Sequence, residues 1–368
     1  MATEDFTPDW TNPPGSTVSD LLVWRGMGSD DLAVQLGYSA SAINQLLVGE
    51  MKLTTAVAQK LERLFGPPAR FWTTREEQYR QDLVRLGITS VEHDPPESEL
   101  EAWGDSFPVK DMEKFGWLSA LEGIDVPAKM LSFFGVRDPQ QWRQRYEPQL
   151  AMTVFRTSAH FESEEAAVLA WLRKAELEAS AQGYANWNRD LFVAALPEIR
   201  ELTPKTPAEF FPKLQEICGR CGVVVVVLRA PLGCRASGAS FFTESGQAVI
   251  ALSNRHRTDD RFWFNFFHEA GHLVLHSEGS LFLEFEDSQG QPAESEANAF
   301  AANILLPPDK VSQLPKLARA RQMAVARFAR SAGVSPGIVV GQMQHRKIIG
   351  YERMNKLKRS FQWSDFEI

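Results

Sequence analysis

The chain has 368 residues, 44% of them hydrophobic and 23% charged, with three cysteines and a formal net charge of −8. Such a composition suits two or three soluble globular cores, excludes a disulfide framework, and argues against broad electrostatic attraction to nucleic acid. The longest apolar run, Val223 to Leu228, is only strand length, and the first residues, with Glu4 and Asp5 and no apolar core, do not read as a signal peptide, so a cytoplasmic protein without a membrane partner is expected.

Residues 16–79 read as short helices with helix-turn-helix spacing. Ser29, Asp30 and Asp31 open a helix through Leu36, Gly37 and Tyr38 make a turn, and Ser39 caps a second helix from Ala40 to Val48 with Ile43, Leu46 and Leu47 inward. Thr54 opens another amphipathic helix, Ala56 to Phe65. The run LTTAVAQKLERLFGPPARFWTTREEQY resembles the Xre/HigA-type DNA-binding fold of antitoxins and phage repressors. That resemblance implies a head over residues 16–92 whose second helix enters the major groove, with Ser39, Ser41, Asn44 and Gln45 toward bases or phosphates and Lys52 on the DNA backbone. The helix carries no Arg or Lys, so operator binding would lean on a homodimer, or the head would instead be a protein-binding module.

His93 to Glu99, rich in Pro and acid, reads as a linker. A helical middle domain, 100–205, follows, with helices at Ala128 to Phe134, Pro139 to Tyr146 and Ser163 to Ala181, and with Trp117, Trp142, Trp171 and Trp187 as packing residues. From 206 the pattern turns to mixed α/β: a helix from Ala208 to Arg220, then strands at Val223 to Leu228, Ala239 to Phe242 and Ala248 to Leu252, the last two joined through Glu244, Ser245 and Gly246. Cys218 and Cys221 form a C-x-x-C with no second pair, and read as buried thiols.

The run Phe262 to His276 contains His268-Glu269-Ala270-Gly271-His272. At about 100° per residue the two histidines share one helical face and can share a zinc ion, while Glu269 reaches a water as general base. Glu294 and Asn298, i and i+4 on the next amphipathic helix, offer a third ligand and a hydrogen bond to a ligand histidine. Glu294 is assigned as the ligand. Glu296, about 200° around that helix, is the competing carboxylate and reads as a solvated residue of the first turn. His276 is too near the first histidine for the third histidine of a metzincin; it reads as a cleft-rim group that steadies an oxyanion, or as a histidine at the helix C-terminus.

Residues 261–276 together with ESEANAFAANILLP resemble the ImmA/IrrE family of zinc metallopeptidases over about residues 206–345. Ala270 stands where Leu is commoner. The resemblance implies Zn²⁺ on His268, His272 and Glu294, with Glu269 as base, in a gluzincin-type domain over 206–310. Gly271 would let another segment pack closely on the metal helix. By analogy with zincins, the strand Ala248, Val249, Ile250, Ala251, Leu252 is expected to bind an extended substrate at its edge.

Residues 311–368 form a C-terminal helical extension, with a hairpin from Ala324 to Ala332 and Ile338 to Gln344. The basic stretch His345, Arg346, Lys347, Arg353, Lys356, Lys358 and Arg359 reads as a solvated terminal helix. The expected fold is an α+β multidomain protein: an all-α helix-turn-helix head, a helical middle, and a small zincin-like domain with a short mixed sheet. The expected function is a transcriptional or stress regulator whose zinc endopeptidase cleaves a helix-turn-helix repressor or a toxin partner. The rival is a HigA-like antitoxin or DNA-binding repressor that hydrolyses nothing and uses the zincin domain to sense or to bind a partner.

Overall fold

Val223 to Val227 form β1, and all but the last are buried because the strand is covered on both faces. Val223 and Val225 point into the main core, whereas Val224 and Val226 meet Ala179 on the other side. Double coverage is what turns an alternating strand pattern into an unbroken apolar run. The computed structural model that shows this describes residues 11–38, 40–86, 97–118, 123–152, 162–182, 185–243, 246–253, 255, 257–276, 281–285 and 292–366. Ser39, most of the linker (through residue 96), and Glu244 and Ser245 of the strand connection lie outside them. Among the described residues no helix is long and apolar enough to cross a membrane.

The chain is mostly helical and divides into two compact units, residues 1–148 and 149–368. In the first, α1 (Pro14–Arg25), α2 (Ser29–Leu36), α3 (Ala40–Val48), α4 (Thr55–Phe65) and α5 (Ala69–Arg85) enclose a core of Val18, Leu32, Ile43, Leu61 and Trp72. Thr54 accepts a hydrogen bond from the Val57 N–H and so starts α4. Helices α6 (Glu97–Asp105), α7 (Val109–Lys114), α8 (Val126–Phe134) and α9 (Pro139–Met152) follow. They gather an edge-to-face aromatic cluster of Trp103, Phe107, Phe134 and Trp142.

The second unit holds α10 (Glu162–Ser180), α11 (Arg189–Arg200), α12 (Pro207–Arg220) and a four-stranded mixed sheet. Its strands β1, β2 (Ala236–Phe242), β3 (Ala248–Leu252) and β4 (Phe282–Phe285) lie in the order β1-β3-β2-β4. The β1–β3 pair is parallel, and β2 is antiparallel to both β3 and β4. One face of the sheet receives α10, and the other packs against α12 and α13 (Asp259–Leu275). Helices α14 (Pro292–Leu305), α15 (Pro308–Val311), α16 (Gln322–Ala332) and α17 (Pro336–His345) complete the unit.

This order corrects the expectation for Ala248, Val249, Ile250, Ala251 and Leu252. They form β3, which is hydrogen-bonded to β1 on one side and β2 on the other and has no edge to offer. Among the described residues the edge next to β2 belongs to β4.

The basic stretch near the C-terminus is likewise no solvated helix. Beyond α17 the chain runs through short 3-10 turns at Asn355–Leu357 and Trp363–Asp365. Lys358 pairs with Asp260 at 2.7 Å, the Arg359 N–H donates to Asp259 Oδ1 at 3.0 Å, and Phe361 and Phe366 enter the core beside Phe210 and Phe262. The tail thus clamps the N-terminus of α13. Arg200 performs a similar service elsewhere, donating to the C-terminal carbonyls of Leu305 in α14 and Ala332 just at the end of α16. Cys218, Cys221 and Cys234 are buried, and burial raises all three thiols, Cys234 to about 12, which leaves them unreactive.

Candidate metal centre

Helix α13 is apolar on nearly every side, with Phe262, Trp263, Phe266, Phe267 and Ala270 in the core. That burial carries the polar residues of the same turns inside: His268 and Glu269 are 0% exposed and His272 1%. Such groups persist in a core only with partners. The partners come chiefly from α14, which crosses α13 at Gly271. A Cβ at 271 would stand 3.2 Å from the Ala297 Cα and 3.1 Å from the Phe300 ring, so glycine sets how near the two helices come.

The close crossing delivers Glu294. Its Oε2 lies 3.2 Å from His268 Nε2 and its Oε1 3.4 Å from His272 Nε2, and the two Nε2 atoms are 3.0 Å apart. A tetrahedral zinc with bonds of about 2.0–2.1 Å holds its ligand atoms about 3.3 Å from one another. Two imidazoles and a carboxylate at these separations fit such an ion, and they are the metal-capable group found among the described residues. The electrostatics agree. Burial acts to raise the Glu294 carboxyl, but hydrogen bonds from His268 and His272 outweigh it and bring it down to about 2. Burial also lowers the His272 imidazole, against the pull of Glu294. Glu294 is thereby held as a carboxylate and His272 as a neutral ring, and a metal binding here would displace the shared Nε2 protons.

The remaining ring nitrogens are also occupied. His268 Nδ1 meets Asn298 Oδ1 at 3.1 Å, and His272 Nδ1 meets His276 Nδ1 at 3.0 Å. His276 in turn meets Glu296 Oε2 through Nε2 at 3.3 Å. His276 is thus turned onto a ligand histidine, and Glu296, exposed as expected, is its partner. Phe282 of β4 stacks on His272, with ring centroids 4.4 Å apart at 13°. On the far side of α13, Arg189 donates to the Val274 carbonyl at 2.8 Å and ties down the end of the helix.

Glu269 faces β2. A Cβ on Gly238 would lie 2.5 Å from Glu269 Oε1, so the strand backbone approaches the carboxylate as only glycine allows, at a place where the β2–β4 register is irregular between Ala236 and Gly238. Beside Asn298 an open cavity of about 300 Å³ is lined by Phe264, Ala299, Ala302, Gln342, His345 and Arg346.

The residues expected to meet DNA are described only in part. Ser39 and the Ser41 side chain lie outside the described residues, Asn44 and Lys52 are exposed, and Gln45 is half-buried. Gln45 lines a polar cavity with Glu50, Arg137, Gln141 and Gln144 of the same unit, so α9 and the turn before it share its face of α3.

Gly238 and Phe282 escaped the sequence reading, as did the pairing of His276 with Glu296. Gly238 carried a signal, since an isolated glycine in a strand pattern marks a bulge or a close backbone approach. Phe282 and the His276–Glu296 pair depend on chain folding and had no local signature. Comparison with curated proteins returns no match to the chain. Residues 221–342, which run from just before β1 into α17 and include His268, Glu269, His272 and Glu294, match the family model described as Peptidase_M78, IrrE N-terminal-like domain, so this part of the chain is similar to a family of metallopeptidases.

Proposed function

We propose that the protein is a zinc-dependent endopeptidase that cleaves a regulatory protein, a helix-turn-helix repressor or a toxin-like partner, presented by its own helical head. The observation that carries this reading is the convergence of His268, His272 and Glu294 with Glu269 one residue from the first histidine on the same helix. Bound Zn²⁺ would supply Lewis-acid polarisation of the scissile carbonyl and of the attacking water. The chain's own residues do the rest. Asn298 fixes the ring of His268 through Nδ1, and Glu294 completes the ligand set. Glu269, with Gly238 clearing space before it, takes the proton of the attacking water and returns it to the leaving amine.

Among the described residues no strand lies beyond β4, so its outer side could pair with an extended segment, and Phe282 on that strand sits against His272. Helices α2 and α3 of the head are a short consecutive pair, as in helix-turn-helix proteins, which suits recognition of operator DNA or of a similarly folded protein.

The test is incubation of the zinc-loaded protein with helix-turn-helix proteins and toxins encoded beside it, read by mass spectrometry of the fragments. The parent is expected to cut one of them, and Glu269→Gln to lose the rate by at least about a hundredfold. Parent and variant behaving alike, with zinc bound in both, would replace this reading by that of a non-hydrolytic antitoxin or repressor.

A further inference from the structure

Helix α13 ends at Leu275, and the next residue, His276, leaves the helical path with φ −113° and ψ 168°. The departure swings its ring back over the last turn, where its centroid lies 5.0 Å from that of His272 and 5.1 Å from that of Phe282. The two imidazoles meet Nδ1 to Nδ1, and the second continues through Nε2 to Glu296.

The order of protons along this line follows from the first member. His272 Nε2 faces His268 and Glu294, and as a metal donor it must present a lone pair. Its proton is then on Nδ1, which donates to His276 Nδ1. An acceptor at Nδ1 obliges His276 to carry its own proton on Nε2, and that atom points at the Glu296 carboxylate, an acceptor only. Every link has a donor and an acceptor in one direction, with the free carboxylate at the end. His268 needs no such line, because Asn298 gives its Nδ1–H an acceptor directly.

We propose that His276 and Glu296 are positioning residues for the metal centre: a His272–His276–Glu296 line that sets the tautomer and ring orientation of one ligand. The proposal rests on the metal reading of His268, His272 and Glu294. The two members differ in weight. His276 is 13% exposed and held between two rings, whereas the Glu296 side chain is 64% exposed and its charge is screened by solvent. Loss of the acceptor at 276 therefore matters more than loss of the charge at 296.

The full-length protein is titrated with Zn²⁺ against a competing chelator, as the parent and as His276→Phe, Glu296→Gln and Glu296→Ala. Phenylalanine keeps a ring beside Phe282 but has no acceptor. His276→Phe is expected to weaken zinc binding by about tenfold or more. Glu296→Gln, whose amide oxygen still accepts, stays close to the parent, and Glu296→Ala loses no more than about fivefold.

The second readout needs no substitution: long-range ¹H–¹⁵N spectra of the zinc-loaded parent, expected to place the His272 proton on Nδ1 and the His276 proton on Nε2. Zinc held equally well by His276→Phe, or a His276 proton found on Nδ1, overturns the line while leaving the metal centre intact. A parent that binds no zinc overturns the metal reading itself, and this proposal with it.

Discussion

Gly238 faces Glu269 so closely that a Cβ on the first would stand 2.5 Å from Oε1 of the second. Strand and carboxylate therefore fix each other's place. In Gly238→Ala the added methyl must push the Glu269 side chain aside or lift β2. A displacement of about 1 Å at a reacting group can cost about a hundredfold in rate. Peptide cleavage by Gly238→Ala is expected to fall by that order while zinc affinity, set by His268, His272 and Glu294, stays near the parent value. Steady-state rates and a chelator competition on the same preparation check both halves.

Gly271 governs the other approach. A branched side chain there meets Ala297 backbone and the Phe300 ring, and overpacking of this kind costs about 1–3 kcal/mol. Because α14 carries Glu294, Gly271→Val is expected to lower both the unfolding free energy and zinc affinity. A variant that lost stability but bound zinc as tightly as the parent would show that α14 keeps its register without the glycine.

Metal removal is expected to destabilise the second unit. A ligand present at a hundred times its dissociation constant stabilises the folded state by about 2.7 kcal/mol. Chelation should lower the melting temperature of the parent accordingly, and addition of Zn²⁺ should restore it. In Glu294→Ala the melting temperature should respond little to either treatment, which scanning calorimetry can follow.

Asp259, at the start of α13, gives a pH effect of its own. Burial raises its carboxyl from 3.8 to about 6; hydrogen bonds from the Ser335 hydroxyl and the Arg359 and Asp260 N–H groups oppose the rise, and neighbouring Asp260 adds to it. The charged groups around it are Asp260 on its own helix and, from the tail, Lys358 and Arg359, while α17 with its N-cap brings only Ser335 and Gly337. Between pH 4 and 6 the folded state binds more protons here than the unfolded state, so this group's contribution to stability falls as pH rises through that window. A carboxyl raised from 3.8 to about 6 corresponds to about 3 kcal/mol. Asp259→Asn should therefore flatten the pH dependence, gaining on the parent at pH 7.5 relative to pH 4.5 in denaturant melts. Equal slopes for the two proteins would show that Asp259 stays charged in the fold.

Much of the centre was legible because its geometry is local. Four-residue spacing on α13 places His268 and His272 together, and the same spacing on α14 places Glu294 and Asn298, so only the crossing of two helices remained to be supplied. The rest was lost where a local rule ended. Helical angles put His276 to the side of the metal face, but α13 stops at Leu275, and one extended residue carries the ring onto His272. Glu296 was placed by its angle on α14 without knowledge of what lay across from it. Ala248 to Leu252 was read as an edge by analogy with zincins; β3 instead inserts between β1 and β2, and its burial on every residue is the trace of that insertion.

The guanidinium of Arg200 touches the last turn of α14 and the end of α16 at once. Two rods buckled to one cation cannot drift apart separately, so a breathing motion that withdrew Glu294 from the histidines would have to drag the α16 hairpin along. If a metal is held here as proposed, its escape would proceed by tilting a whole plate of the structure, and its off-rate would report on the C-terminal helices as well as on the three ligands.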